Sequence, residues 1–159
     1  MLQQSTTHLY KSVYLDKSEI EVCKVLAQMR ANVNNSNYYE SDFVGLLGEL
    51  AFAKHFNLHL DLTIGKRQNT YDFMWRNMRV DVKTNKKIDG SLIVKQRENI
   101  DVDIYVLAVF DDMNNNIVHL VGWIEKDIIR DENNLKQVRY DNGTIDSKYM
   151  MYQRNLKKF

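Results

Sequence analysis

The sequence lacks the features that mark several classes of protein. Its 159 residues contain no proline and one cysteine, Cys23. A lone cysteine cannot form an internal disulfide, which excludes a disulfide-stabilised scaffold and fits a reducing compartment. No apolar run has the length of a membrane span, and residues 1–11 lack the apolar core of a signal peptide. We therefore expect a cytoplasmic protein with no membrane partner.

The chain also lacks an excess of charge of one sign. Its formal net charge is +1, so overall charge gives no sign of a nucleic-acid partner, and any basic surface has to come from local clustering. The length suits one domain, and an apolar content of 44% can fill one core. Because no repeat, linker or low-complexity segment divides the chain, we expect a single domain over residues 1–159.

Apolar spacing predicts helices first and strands afterwards. One helix should run from Lys17 to about Val33, and a second from an N-cap at Ser41 to about His55. The period then changes to two, which is typical of strands. The next elements are expected to be strands at 58–64, 71–75, 80–82, 91–95, 104–110 and 117–123, a short helix at 125–129 and a surface segment at 131–147. The tail at 148–159 suits a strand or a helix, and the pattern favours a strand that enters a short terminal turn. This order predicts an α/β or α+β fold with a central sheet flanked by helices.

The most informative segment is residues 71–84, which predicts two strands joined by a tight turn. A loop at residues 76–77 would place Asp72 opposite Asp81, and a loop at 77–78 would place Asp72 opposite Lys83. Because strand side chains alternate between faces, either loop puts these three side chains on one face of the hairpin. The opposite face is apolar and consists of Tyr71, Phe73, Trp75, Val80 and Val82.

Two carboxylates and an ammonium on one face have a chemical use. Close carboxylates repel each other, and a divalent cation relieves that repulsion. Their oxygen atoms are hard ligands, which favour magnesium or manganese over zinc. A metal ion can activate a water and polarise a phosphodiester, while a lysine offsets the charge that develops in the transition state. The alternative is a solvated hairpin face with a weak cross-strand ion pair.

A further acid is available in the second predicted helix. Glu49 is the single acid in an otherwise apolar stretch that also contains Gly45, Gly48 and Ala51. A glycine inside a helix costs about 1 kcal/mol relative to alanine, so close packing against a neighbouring backbone is expected here. A second acid-x-Lys triplet, at residues 146–148, lacks any such context.

The pattern Gly48-Glu49-x-Ala51 on a helix, Asp72 on a strand and Asp81-x-Lys83 on the next strand resembles the PD-(D/E)XK nuclease superfamily. The resemblance covers roughly residues 41–125, and the later apolar strands look like those of small phage-encoded members. It implies a restriction-endonuclease-like core, in which a helix leads into a mixed sheet of four to five strands. Tyr71 stands where the family's name has proline, a position that varies in the family.

The same resemblance implies a role for each site residue. Asp72, Asp81 and the backbone carbonyl of Val82 would bind the metal, Glu49 would ligate it or hold it through water, and Lys83 would orient the nucleophilic water. The expected catalytic residues are thus Glu49, Asp72, Asp81 and Lys83. The expected cofactor is Mg²⁺, with Mn²⁺ as a substitute. The expected activity is hydrolysis of DNA, in the host cytoplasm if the chain is phage-encoded.

Basic residues are dense between positions 66 and 97, and an ordinary charged surface is the alternative to DNA binding. Phosphate contacts set affinity without setting sequence preference. The residues expected to make them are Arg76, Arg79, Lys86 and Lys87. Gln96, on the strand after the lysine, is a further site candidate, as in some relatives. Asp101 and Asp103 precede a buried strand and are expected to keep its entrance hydrated.

Two rival functions stay open. One is a Holliday-junction-resolving nuclease, which needs a homodimer to place two sites on a four-way junction. The other is a non-catalytic DNA-binding protein that keeps the nuclease fold. The presence of all four expected catalytic residues argues against the second rival, because a degraded site would usually have lost one of them.

Overall fold

The computed structural model describes residues 10–98, 101–110 and 116–159. Within them the helices are α1 (Lys17–Asn34), α2 (Tyr39–Phe56) and α3 (Lys126–Ile129), none of which is both long and apolar enough to cross a membrane. The strands are β1 (Lys11–Tyr14), β2 (Phe73–Trp75), β3 (Met78–Asn85), β4 (Leu92–Lys95), β5 (Ile104–Phe110), β6 (Ile117–Glu125), β7 (Leu135–Arg139) and β8 (Ile145–Met151).

The described strands form two sheets. The larger has five strands in the order β1-β6-β5-β3-β2, in which β3 and β5 run parallel and the other neighbours antiparallel. The smaller sheet is antiparallel, in the order β4-β8-β7. The mixed α/β class and a central mixed sheet of four to five strands are therefore confirmed. The second sheet was not predicted.

The five-stranded sheet lies between two apolar cores. Val106 of β5 belongs to the core that α1 and α2 complete. Its neighbours Tyr105 and Leu107 belong to the core that the smaller sheet completes. Every residue of β5 is buried, because alternate side chains enter alternate cores. A strand covered on both faces gives the continuous apolar run from which a central strand was predicted.

The first helix agrees with its prediction, and the second begins earlier than predicted. α1 starts at the expected residue, where Asp16 and Glu19 form a capping box. α2 starts at Tyr39, so Ser41, the predicted N-cap, lies inside the helix and donates its hydroxyl hydrogen to a carbonyl of the preceding turn. Tyr39 stacks on Phe43 with ring centroids 6.3 Å apart, and this packing extends the helix at its N-terminal end.

One other prediction is wrong, and another is incomplete. Residues 58–64, predicted as a strand, run as irregular chain, which Arg30 holds by hydrogen bonds to the carbonyls of Asp61 (2.8 Å) and Thr63 (3.0 Å). Alternating apolar residues form a strand only where another strand pairs with them. Residues 131–147, predicted as a surface segment, contain no buried residue, but they include β7, and β8 begins at Ile145 rather than at Lys148.

α2 approaches the sheet closely at Gly48. A Cβ atom at this position would stand 2.0 Å from Thr84 Oγ1 and 3.1 Å from Ala108 Cβ. A Cβ atom at Gly45, in the same helix, would meet nothing within 4 Å. Of the two glycines, therefore, only Gly48 makes the expected close approach to the sheet. This contact places the next residue, Glu49, near β3.

Gly48→Ala should lower the free energy of unfolding by about 1–3 kcal/mol, because the added methyl group forces α2 away from the sheet. Gly45→Ala is the matched control and should raise the free energy of unfolding by about 0.5–1 kcal/mol, because it restricts the unfolded chain without a clash. Urea denaturation followed by circular dichroism measures both. Similar effects of the two substitutions would contradict the close approach.

Candidate active site

The hairpin that carries the candidate acids closes with a two-residue turn. Arg76 and Asn77 have φ angles of 50° and 61°, and the strands pair Trp75 with Met78 and Phe73 with Val80. Positive φ at both central residues is the type I′ geometry that suits the twist of a hairpin. The loop is thus residues 76–77, the first of the two alternatives, and it places Asp72 opposite Asp81.

The outer edge of β3 is open beyond Val80, because β2 pairs with β3 only as far as that residue. Asp72 takes the place of a strand there: its backbone N–H donates to Val80 O, and its Oδ2 accepts from the backbone N–H of Val82, both at 2.8 Å. In a strand, the N–H and C=O of one residue point to the same side. The carbonyl of Val82 therefore also faces this open edge.

A cleft of about 660 Å³ lies along the open edge. All four predicted catalytic residues line it, Glu49 from α2, Asp72 from the start of the hairpin, and Asp81 and Lys83 from β3. The exposed fractions of the Glu49, Asp72 and Asp81 side chains are only 12%, 9% and 16%. The structure therefore brings the predicted acids together in one partly buried space.

Burial and mutual repulsion raise the pKa of two of the acids. Burial, together with the charge of Asp72, raises the pKa of Glu49 to about 8. Burial also raises the pKa of Asp81 to about 7, against the opposing effect of the Lys83 ammonium. Within the described part of the chain, Glu49 Oε2 is buried without a hydrogen-bond partner. Such an atom is suited to a ligand that brings positive charge or a donor.

Lys83 is held between two carboxylates. Its Nζ lies 2.9 Å from Asp81 Oδ2 and 2.5 Å from Glu98 Oε1. Burial acts to lower the pKa of Lys83, but the charges of Asp81 and Glu98 outweigh it and hold that pKa above its ordinary value. Lys83 is therefore an ammonium at neutral pH, able to donate hydrogen bonds and to stabilise negative charge, and it is not a general base.

Arg67 and Glu98 belong to the site, although neither was predicted as a site residue. The guanidinium of Arg67 lies 2.9 Å from Asp61 Oδ2, 3.3 Å from Asp72 Oδ1 and 4.0 Å from Glu49 Oε2. Both residues lie outside the strands and helices. The sequence marked Arg67 only as one of many basic residues, and no local spacing marks Glu98, because tertiary packing alone brings them to the cleft.

The four predicted phosphate-binding residues lie outside the lining of the cleft. Arg79 pairs with Asp101 and Asp103, Lys86 pairs with Glu40, and the Arg76 guanidinium lies 4.4 Å from the ring centroid of Trp75. Lys87 is exposed just after β3. Gln96 also lies outside the lining. DNA contacts by Arg76, Arg79, Lys86 and Lys87 stay a prediction.

The donor set fits a hard divalent cation. Glu49, Asp72, Asp81 and the Val82 carbonyl supply oxygen atoms only, which is the preference of Mg²⁺, and Glu49, whose Oε2 has no hydrogen-bond partner in the described part of the chain, lines the same cleft. Among the described residues, however, no group of three or more His, Cys, Asp or Glu side chains is arranged to hold a metal ion. In this arrangement the Arg67 guanidinium and the Lys83 ammonium neutralise the acids.

Comparisons of the chain with protein-family models, with curated proteins and with solved structures gave no match. The functional interpretation of the cleft therefore depends on its own geometry and chemistry.

The free energy of unfolding should fall as the pH rises from about 4.5 through about 8. The folded chain keeps the Glu49 proton up to about pH 8, whereas the unfolded chain releases it near the ordinary pKa of 4.5, so rising pH favours unfolding. Glu49→Gln, a neutral side chain of the same shape, should flatten this decline. Glu21→Gln, at an exposed site on α1, is the control and should leave it unchanged.

Urea denaturation at several pH values measures the decline. A Glu49→Gln variant that keeps the full wild-type decline would show that the Glu49 carboxyl is ionised throughout this range.

Proposed function

We propose that this chain is a metal-dependent nuclease of the PD-(D/E)XK superfamily that hydrolyses DNA phosphodiester bonds. The observation that carries the proposal is the convergence of Glu49, Asp72, Asp81 and Lys83 on one cleft at the open edge of β3. A helix supplies the first of these residues, and a hairpin supplies the other three. This is the order and the placement that the resemblance implies for a restriction-endonuclease-like core.

The metal would be held by Asp72, Asp81 and the backbone carbonyl of Val82, with Glu49 joining directly or through water. Mg²⁺ suits these oxygen ligands, and Mn²⁺ can substitute for it. When bound, the cation supplies an activated water and polarises the phosphodiester. Because ligands must be deprotonated, metal binding would have to overcome the burial that raises the pKa of Glu49 and Asp81.

Lys83 acts as a fixed positive charge in the proposed reaction. Its ammonium is positioned by Asp81 and Glu98 and keeps its proton at neutral pH. It donates a hydrogen bond to the attacking water and offsets the negative charge that grows on the phosphoryl oxygens. Arg67 lies in the same cleft, and a cation bound by Asp72 would compete with it for Oδ1 and leave its guanidinium available to the phosphate.

Magnesium should raise the melting temperature of the wild type, and more at about pH 8.5 than at about pH 6, because protons compete with the metal for the carboxylates. Asp81→Asn should remove most of this rise. Asp127→Asn, at a side chain that is 93% exposed, should keep it. Calcium should also bind, with poor turnover. Melting curves and calorimetry measure binding, and the absence of any divalent binding would exclude this metal site.

Lys83→Ala should lower the cleavage rate by a factor of about 10²–10³, because it removes a charge that acts on the transition state. Asp81→Asn should also abolish cleavage, through lost metal affinity, and should leave DNA binding intact or tighter. Lys24→Ala and Asp127→Asn are matched controls at exposed sites. Circular dichroism checks that each variant is folded.

The substrates should be linear, nicked, flap and four-way DNA, with magnesium and at one salt concentration. Cleavage by Lys83→Ala and Asp81→Asn at the wild-type rate would place the activity in another site or another protein. Cleavage confined to the four-way junction, by a homodimer, would favour the junction-resolving function. Tight binding by a wild type that cuts none of the substrates would favour the non-catalytic function.

A further inference from the structure

The smaller sheet carries a row of three lysines. Lys95 of β4 is directly opposite Lys148 of β8, and Lys148 is directly opposite Lys136 of β7. Directly opposed residues in a sheet point to the same face. The three side chains therefore form one line across all three strands, which we call the lysine row. At about 4.8 Å between strands, it is roughly 10 Å long.

The lysine row lies on the face of the smaller sheet that is turned away from the core. The opposite face contributes buried side chains such as Leu92 and Val94 to the core beneath β5. Lys95 and Lys136 are exposed, while the Lys148 side chain is 20% exposed. The row is thus a surface feature with its most covered member at the centre.

Like charges placed directly opposite each other destabilise a sheet. Asp146 Oδ2 lies 3.9 Å from Lys148 Nζ and offsets part of the repulsion, and the Tyr140 hydroxyl accepts a hydrogen bond from the same Nζ at 2.6 Å. For Lys95 and Lys136, no ion pair occurs in the described parts of the chain. A bound polyanion would relieve the remaining repulsion, whereas nothing in the packing of the sheet requires three lysines here.

The row begins at the candidate active site. Lys95 and Lys148 line the same cleft as Asp81 and Lys83, and Lys136 continues the line outward. Glu98 joins the two features, because its Oε2 accepts from the backbone N–H of Lys95 at 3.1 Å while its Oε1 accepts from Lys83 Nζ. A DNA strand with one phosphate at Lys83 can therefore place its neighbouring phosphates near the lysine row.

We propose that the lysine row binds the phosphate backbone of DNA and guides one strand into the cleft. Each strand of DNA carries one phosphate per nucleotide, and the lysine row is long enough to contact more than one phosphate of a strand. The proposal rests on the proposed function for the choice of DNA, and it assigns substrate binding to lysines beyond the four predicted from the sequence. Contacts of this kind set affinity and strand position without reading base sequence.

The test compares two double variants that remove equal charge. Lys95→Gln with Lys136→Gln neutralises both ends of the row, and Lys11→Gln with Lys17→Gln removes two exposed lysines at β1 and the start of α1. β1 is the edge strand farthest from β2 in the five-stranded sheet, so the control lysines are remote from the cleft. Fluorescence anisotropy with a labelled duplex, in chelator and over a range of salt, measures binding without cleavage.

The row variant should reduce the slope of log K against log salt by about 1.8, because each lost phosphate contact reduces it by about 0.9. The control variant should keep the wild-type slope. Lys95→Arg with Lys136→Arg should also keep it, since the charges stay in place. At low salt the row variant should unfold at a temperature no lower than the wild type, because the substitutions relieve repulsion with Lys148.

A row variant with the slope of the control variant, or a wild type that binds no DNA, would overturn the proposal. A second result would also overturn it: the row variant loses binding and has a lower melting temperature, and the arginine variant does not restore binding. Those changes together would mean that the substitutions damage the fold. Failure of the nuclease function gives a different result. A wild type that binds DNA with the expected salt slopes but cleaves none would support binding by the lysine row and contradict only the catalysis.

Discussion

Glu49, Asp72 and Asp81 line one partly buried cleft, and the mutual repulsion of their carboxylates is the constraint to which the surrounding residues respond. Glu49 and Asp81 reduce the repulsion because their pKa values are raised, so that they ionise at a higher pH than usual. Arg67 and Lys83 reduce the repulsion through ion pairs, Arg67 with Asp72 and Lys83 with Asp81. A divalent cation would reduce the repulsion further, since it brings two positive charges to the oxygen ligands. The chemical interest of the cleft follows from this unfavourable crowding.

The crowding is maintained by the packing of α2 on the sheet and by the short length of β2. Gly48 lets α2 approach Thr84 and Ala108 closely enough that Glu49 reaches the acids of the hairpin. Because β2 stops pairing at Val80, the edge of β3 that follows is left to a carboxylate instead of a strand. A longer β2 would cover the backbone groups that the cleft exposes.

The smaller sheet supplies part of the lining of the cleft through Ile93, Lys95 and Lys148, so cations of this sheet line the same cleft as the acids. Glu98 connects β3 to the smaller sheet, because one of its carboxylate oxygens accepts a hydrogen bond from Lys83 and the other accepts one from the backbone N–H of Lys95. Arg67 and Lys83 therefore neutralise the acids of the cleft, while Lys148 of β8 and Lys136 of β7 are left to interact with an anion. An anionic polymer would meet cations before it reached the carboxylates, an order that favours its approach to an acidic site.

By itself the sequence determined the two helices, the hairpin and the face that gathers Asp72, Asp81 and Lys83. These follow from periods of 3.6 and two, which are local properties, and strand parity holds for either of the loops first considered. Four features became known only from the folded chain: the hairpin loop, the start of α2, the smaller sheet, and the arrival of Arg67 and Glu98 at the cleft. The smaller sheet and the arrival of Arg67 and Glu98 depend on pairing and packing between residues far apart in the chain, which leave no periodic trace in the sequence. The loop and the start of α2 are local features, but the apolar periodicity is the same for either loop and does not define the first residue of a helix.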